Sequence, residues 1–371
     1  MKGKRFVFVS SFGYPSRFAH ALHGLHMARV FSKRFADRFL FFVNVAEAGA
    51  LEDVPHRLLF GQLGRSIKKL RLRRIFLPFV LAFFFFRNRS WRGPNTILYT
   101  TDPALFGLCA WLKRLFGLSL VVECHGTLTP RQVRVLHKVD LAVFVTEGLR
   151  SEYVASARKA ITVPNAVDMA AFSAVQDDKH ALREKLGLPR DATLVGYIGR
   201  FEPLGYDKGL RLMFDALAEL SSVRMVLVGG AKKEVEAYEK YARERRIDAR
   251  VRIVGHVDPV RVPEYAKACD ILAYVPSEKN EFFGRQTSPM KLFEYMAAGR
   301  PIVVSDTPAM REVLGPDEAF FVEQGSLQAF TDAIRAIHDD PKEAERRAQT
   351  ALKHVQTNTW EQRVQRIVSS L

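Results

Sequence analysis

The sequence predicts an α/β protein made of two doubly wound, Rossmann-like units facing each other across a cleft. Three observations carry this. Apolar, strand-length runs alternate with helical patterns through the first half. The same alternation restarts after a polar stretch at 166–191. The 371 residues exceed what one ordinary core holds and suit two domains of about 150–200 residues each.

The elements follow in order. Lys4–Ser10 reads as a strand and Ser11–Pro15 as a turn. A helical pattern then places Phe18, Leu22, Leu25, Ala28 and Phe31 on one face. Phe39–Val45, Asn95–Tyr99, Leu118–Cys124 and Leu141–Val145 read as further strands. Nearly continuous apolar strands between helices indicate a parallel sheet covered on both faces. Ala166–Asp191 reads as a linker. The second series runs Thr193–Ile198, Arg224–Val228, Val251–Val254, Asp270–Tyr274, Ile302–Ser305 and Ala319–Val322, and a long helix from about Pro341 to Leu371 closes the chain. The expected domains are 1–165 and 166–354, with the helix at about 355–371 returning to the first.

Apolar residues make up 48% and charged residues 26% of the chain, which excludes a disordered protein. Cys109, Cys124 and Cys269 are odd in number and unpaired in spacing, so they predict free thiols in a reducing cytoplasm rather than a disulfide framework or a zinc site. No signal peptide is expected, because the apolar run Phe6–Val9 is shorter than an h-region. The net charge of +16 is one-sided: residues 1–165 carry +17 and residues 166–371 carry −1. That asymmetry points the first half toward an anionic surface.

Its densest source is Arg65–Arg74, where Lys68, Lys69, Arg71, Arg73 and Arg74 accompany Arg65. Ile75–Phe86 follows as twelve uncharged, almost wholly apolar residues. Twelve residues are too few to span a bilayer. A helix there suits the interface, with Phe and Leu at the acyl boundary and the basic groups at anionic headgroups. The alternative is a core helix with a solvated basic end. Pro78 must lie in the first turn of that helix or kink it.

Ligands of doubly wound sheets bind beyond the carboxyl ends of the strands, so chemistry is sought there. Gln286–Asp306 is the most informative segment. Ser288 suits an N-cap and Pro289 a first helical residue, with Gly299 closing the helix. The backbone N–H groups of Met290 and Lys291 then form an anion site at the helix start. Glu294, near the second turn, suits a bidentate bond to ribose hydroxyls. Read without further context, the same pattern also fits an ordinary capped helix. Arg200 and Lys208 follow the strand Thr193–Ile198, where two cations can neutralise a diphosphate without a metal; taken alone, the same pattern fits a solvated charged loop. His20, His23 and His26 recur on one helix with no carboxylate in the pattern, which favours a cleft-lining or surface face over a metal site. No Asp-x-Asp pair and no G-x-G-x-x-G occurs, which weighs against a metal-bridged donor and against a dinucleotide dehydrogenase.

The chain resembles the retaining glycosyltransferases of family 4, which have the two-Rossmann-domain GT-B fold. The resemblance rests on VPNAVD at 163–168, GYIGRFEPLGYDKGL at 196–210, VGHVDPVRVPEYAKACDILAYVP at 254–276, SPMKLFEYMAAGRPIVVSD at 288–306 and Trp360 in the last helix. It implies that Arg200 and Lys208 hold the donor diphosphate, that Glu294 binds the ribose, and that His125 contacts the donor sugar. It further implies that Gly13 lies in a loop beside the phosphate and acceptor, and that Val257 stands where backbone groups hold the base. Two positions depart from the family. Gln286 replaces a Glu eight positions before the ribose Glu, which touches donor-sugar hydroxyls. Glu281–Gly284 mimics the missing motif out of register. Ala166 replaces the usual glycine of Asn-Gly-Val-Asp, where a turn wanting positive φ disfavours alanine.

These readings make the chain a metal-independent retaining glycosyltransferase with no cofactor. Its expected partners are a nucleotide sugar, a lipid-linked or glycan acceptor and an anionic membrane surface, without nucleic acid. Its expected place is the inner face of the cell membrane. The alternatives are a nucleotide-sugar epimerase of the same fold and a non-catalytic basic membrane-binding protein.

Overall fold

The computed structural model describes residues 3–14, 19–47, 50–59, 70–202, 207–277 and 282–371. The chain divides into two compact units, Met1–Pro164 with Trp360–Leu371, and Asn165–Thr359.

The first unit holds β1 (Arg5–Val9), β2 (Gly13–Tyr14), β3 (Phe39–Val43), β4 (Val45–Ala46), β5 (His56–Leu58), β6 (Thr96–Thr100), β7 (Ser119–Cys124), β8 (Leu141–Phe144) and β9 (Ala160–Thr162). Seven of these form one sheet in the order β5-β3-β1-β6-β7-β8-β9, while β2 and β4 pair separately. The assigned pairings are parallel. Phe6, Val7, Phe8 and Val9 are all buried, as a strand covered on both faces requires. One face carries an aromatic cluster in which Phe6 stacks on Phe35 at 4.2 Å and on Phe31 at 5.1 Å. Such pairs add directional preference to the burial of large rings.

The second unit holds β10 (Thr193–Ile198), β11 (Val223–Gly230), β12 (Val251–Gly255), β13 (Ile271–Tyr274), β14 (Ile302–Ser305) and β15 (Phe320–Val322). Their order is β12-β11-β10-β13-β14-β15, again parallel. The strand order reverses beside β10, between β11 and β13. In an open parallel sheet that point opens the ligand crevice.

Four expectations change. The stretch 166–191 is not a linker: it forms the helices Met169–Ser173 and Lys179–Leu186, and Phe172, Leu182, Leu186 and Leu188 enter the core of the second unit. Arg183 bolts it down. It is buried, donates through Nη2 to Asp270 Oδ2 at 2.5 Å, and donates to the carbonyls of Ala268, Arg190 and Ala192. The turn at 11–15 contains the short strand β2. On the helix Ala19–Phe35 the buried face runs through Ala21, Gly24, Ala28, Phe31 and Phe35, so Leu22 and Leu25 sit at its margin. The final helix breaks in two, Pro341–Val355 and Trp360–Ser369, and the second piece belongs to the first unit. Phe18 lies outside the described residues.

Ala166 is buried and has no positive φ, so the expected penalty for alanine does not arise.

Candidate functional site

In the second unit, β10 delivers the site. It ends at Ile198 and is followed by Gly199, whose φ is +143°. A Cβ at this residue would lie 2.6 Å from Lys291 Nζ. The lysine therefore rests on bare backbone at the strand end. The loop returns through Lys208 to Gly209, where φ is +85° and a Cβ would stand 1.9 Å from the carbonyl oxygen of Val275. Only glycine lets the chain pass that close to the end of β13. Asp207 accepts from the N–H of Leu210 at 3.1 Å and starts the helix Leu210–Ala216.

Two lysines converge on the two tyrosines that flank the reversal. Lys291 Nζ donates to Tyr197 Oη at 2.5 Å and lies 4.0 and 4.9 Å from the ring centres of Tyr197 and Tyr274. Lys208 is buried, with Nζ 3.5 Å from Tyr274 Oη and 5.8 Å from that ring's centre. Burial, and then the charge of Lys208, push the Lys291 amine well below its ordinary range, against the opposing pull of Glu294. Burial raises the Glu294 carboxyl, and Lys291 opposes it. A pair of like charges at a sheet switch point is the setting an anion relieves. Arg200 lies exposed beyond the same strand, its carbonyl accepting from Tyr197 Oη at 2.6 Å.

The helix Met290–Ala298 begins there and ends at Gly299, whose φ is +63°. Ser288 does not cap it. Pro289 occupies the N-cap in an extended conformation, and Ser288 is engaged elsewhere. Its Oγ accepts from the Asn165 N–H at 3.2 Å, while Asn165 Nδ2 donates to the Ser288 carbonyl at 2.5 Å. Asn165, quoted above only within VPNAVD, thus braces the helix start from the other end of the unit. The N–H groups of Met290 and Lys291 stand in the first turn, where no intrahelical partner exists. Gln286 is buried at the end of the π-turn Phe282–Gln286. Val257 is partly buried against the core beyond β12. Glu281 lies outside the described residues.

The first unit places a different constellation at the end of β7. Glu123, wholly buried, receives Arg363 Nη2 at Oε1 (2.6 Å) and Nη1 at Oε2 (3.2 Å), and Tyr99 Oη donates to Oε2. His23 Nε2 and His125 Nε2 both lie 2.9 Å from Oε1. Burial alone would raise the Glu123 carboxyl. Arg363, His23 and His125 outweigh it and hold the group well below the usual carboxylate range. Burial lowers the His125 imidazole against the pull of Glu123, which keeps the ring neutral near pH 7. Sequence reasoning named His125 but neither Glu123 nor Arg363, which stand 240 positions apart. It placed the His20, His23 and His26 face in a cleft or at the surface. Of these, His20 is exposed and approaches His125 at 5.2 Å, His26 is half-buried and stacks on Trp360 at 5.0 Å, and His23 is buried.

The ligand atoms of His23, Glu123 and His125 lie within 4.8 Å of one another, close enough to hold a cation. The guanidinium of Arg363 already neutralises that carboxylate from 2.6 Å. A divalent ion would sit against a fixed positive charge, so the donor set does not fit a metal. Gly13 lies in β2, beyond the end of β1. Nearby Ser11 donates through Oγ to Asp102.

The helix Leu70–Arg87 has two faces, and Pro78 lies in its interior. Leu77, Leu81, Phe84 and Phe85 are buried in the core, while Phe79, Phe83 and Phe86 are 68%, 60% and 69% exposed. With Leu115 and Phe116 they line one apolar groove. Arg87 lies over Phe83 at 5.8 Å and Arg92 over Phe86 at 5.6 Å. Lys68 and Lys69 lie outside the described residues, as do the side chains of Arg71, Arg73 and Arg74. No described helix is long and apolar enough to cross a membrane.

Residues 178–354 match the family described as glycosyl transferases group 1. D-inositol 3-phosphate glycosyltransferase of Corynebacterium efficiens is 28% identical over 188 residues, 48% of this chain and 42% of that protein. Phosphatidyl-myo-inositol mannosyltransferase of Mycobacterium leprae is 24% identical over 295 residues, 74% of this chain and 73% of that protein. The chain spans about half the length of the first curated relatives it matches, between 42% and 57%. Among solved structures, HepE of Anabaena in complex with UDP superposes with a TM-score of 0.77 at 19% identity, covering 99% of this chain and 100% of that one. That likeness establishes the two-Rossmann-unit GT-B fold.

Proposed function

We propose, from the match of residues 178–354 to the group 1 glycosyl transferases, that the protein transfers a sugar from a nucleotide diphosphate sugar to a hydroxyl acceptor, with retention of anomeric configuration. One observation carries the reading: Lys208, Lys291 and the start of the helix Met290–Ala298 converge at the sheet's switch point, with Glu294 one turn further on. The leaving diphosphate gathers negative charge as the glycosidic bond breaks. Lys208, Arg200 and the N–H groups of Met290 and Lys291 stabilise that charge without a metal. Glu294 holds the ribose hydroxyls, backbone groups near Val257 hold the base, and Gln286 faces the sugar. The family resemblance assigns the donor sugar to His125 and the loop beside the acceptor to Gly13.

The acceptor is proposed to be lipid-linked or a cell-envelope glycan, taken up at the inner face of the cell membrane. The charge of +17 on residues 1–165 and the exposed Phe79, Phe83 and Phe86 beside Arg87 and Arg92 support this. Aromatic groups at the acyl boundary and arginines at the headgroups are what an interfacial helix offers. The matched M. leprae mannosyltransferase has a phosphatidyl-inositol in its name, which agrees in chemical class.

The test is a panel of nucleotide sugars screened by thermal stabilisation, followed by NMR of the products. One donor should raise the melting temperature and yield a glycoside of unchanged anomeric configuration, in EDTA as well as without it. Epimer formation without transfer would favour the epimerase. Stabilisation by none of the panel would leave the switch-point lysines without their ligand.

A further inference from the structure

Arg200 and Lys208 lie on the connection from β10 to the helix Leu210–Ala216, and a residue of the following helix fastens that connection at two points. Tyr238 is buried on the helix Lys232–Glu244, after β11. Its hydroxyl lies 2.8 Å from Asp207 Oδ1 and 3.0 Å from Glu202 Oε1, one proton shared by two acceptors. Asp207 immediately precedes Lys208, and Glu202 follows Arg200 by two residues. The same helix also holds Glu202 by its main chain, since Glu234 Oε1 accepts the Glu202 N–H at 3.3 Å. Next to Arg200, Phe201 is buried edge-on to the Tyr238 ring at 5.5 Å. It fills the space beside Gly230, where a Cβ would stand 2.2 Å from its ring. Burial and the two carboxylates push the Tyr238 phenol well above its ordinary range, so it remains a donor at any working pH.

We propose that Tyr238 is a positioning residue for the diphosphate cations, setting Arg200 and Lys208 in place by holding Glu202 and Asp207 with one hydroxyl. Lys208 then has a fixed neighbour on each side: Asp207, held by Tyr238, and Gly209, pressed against the Val275 carbonyl. Arg200 has its carbonyl held by Tyr197 and the next residue, Phe201, seated on Gly230. Cations stabilise a developing charge most when they need no rearrangement as it forms. Tyr238 acts on them only through the main chain they share with Glu202 and Asp207. The inference rests on the glycosyltransferase reading for the identity of the ligand, though the fastening of the loop does not.

Tyr238→Phe keeps the ring against Phe201 and Phe214 and removes the hydroxyl alone. Without ligand, amide hydrogen exchange at 199–202 and 207–211 should quicken roughly tenfold, as for one lost hydrogen bond, while β11 and β12 keep their rates. Isothermal titration with UDP, GDP and ADP then reads the cations. The nucleotide that binds wild type should bind Tyr238→Phe about tenfold more weakly. With Arg200→Ala and Lys208→Ala already in place, adding Tyr238→Phe should cost less than about twofold, because residues acting through one another are not additive. A merely structural tyrosine would weaken binding equally with and without the two cations. Should Tyr238→Phe fail to fold, Glu202→Ala spares the Asp207 bond and should show the same pattern at about threefold. Unchanged exchange at the loop overturns the proposal, as does a full tenfold loss in the background lacking both cations. Failure of all three nucleotides to bind wild type would sink the glycosyltransferase reading, and the exchange rates would still decide whether Tyr238 holds the loop.

Discussion

The two units solve the same problem, placing charge at the end of a parallel strand, in opposite ways. In the second unit the cations sit around a sheet reversal, and Lys208 and Lys291 gather toward a ligand with Glu294 as the nearby acid. In the first unit the charges are already matched. Glu123 accepts two hydrogen bonds from Arg363 and one from Tyr99, with two histidines close by. The first arrangement is poised to bind an anion. The second is a brace that ties β7 to the helix Trp360–Ser369.

The sharpest way to break this contrast is to strand a charge in each unit. Arg363→Met leaves Glu123 buried without its guanidinium and should destabilise the first unit by about 3–5 kcal/mol. Trp91, Trp111 and Trp360 are the chain's three tryptophans and all lie in that unit, so chemical denaturation followed by tryptophan fluorescence reads it selectively. Arg183→Met, read in the tryptophan-free second unit by far-UV circular dichroism, should cost less, about 1–3 kcal/mol, because Asp270 keeps Lys179 at 2.5 Å. Equal losses would show that Glu123 is no more dependent on its arginine than Asp270 is. The acid limb has a sign. Glu123 has a folded pKa depressed below its unfolded value, so its contribution is present above the unfolded pKa and is lost as pH falls through the lower folded one. The fluorescence midpoint should therefore start to fall as pH drops into the ordinary carboxylate range and keep falling below it.

Next in size is the phosphate clamp. Lys208→Ala should lower turnover roughly 10²-fold or more, and Arg200→Ala, exposed in the free protein, should do so to a similar or smaller extent. Activity of both within about threefold of wild type would remove the second unit's site. Glu294→Gln should weaken nucleoside diphosphate binding by about tenfold in isothermal titration, since a neutral amide is the poorer partner for two hydroxyls. The smallest expected effect concerns the surface. Phe79→Ser with Phe83→Ser and Phe86→Ser should reduce co-sedimentation with anionic liposomes severalfold at low salt, with the fold intact because all three rings are largely exposed. Added salt should weaken the wild-type contact further. Equal binding of wild type and variant would assign the patch to something else.

The contrast also explains what the sequence revealed. The second unit's site was legible because its parts follow strands within short segments: Gly199 and Arg200 after β10, and Ser288–Glu294 around one helix start. Local spacing carries that chemistry. Even there, Ser288 was misread as a cap, since its partner Asn165 is 123 positions away. The stretch 166–191 looked like a linker because its apolar residues are sparse and its anchor, Arg183, is charged. A buried arginine carries no periodic signal. The brace in the first unit was illegible for the same reason. Glu123 sits in an apolar strand, His23 in a row of histidines, and Arg363 on an amphipathic helix where an arginine ordinarily faces water. Only their meeting in three dimensions distinguishes them. The helix Leu70–Arg87 drew two competing readings, core and interface; the core reading describes the face of Leu77, Leu81, Phe84 and Phe85, while Phe79, Phe83 and Phe86 are exposed on the other.

The return of Trp360–Ser369 to the first unit has a consequence for how the chain is made. During synthesis the amino-terminal residues leave the ribosome first and ordinarily fold first. Here β7 and its buried Glu123 are translated long before the guanidinium that neutralises them. The second unit, continuous from Asn165 to Thr359, has all its parts while the first still lacks one. Of the two units, the one whose strands are made first is therefore completed second, and a chain interrupted before residue 363 leaves Glu123 without its guanidinium.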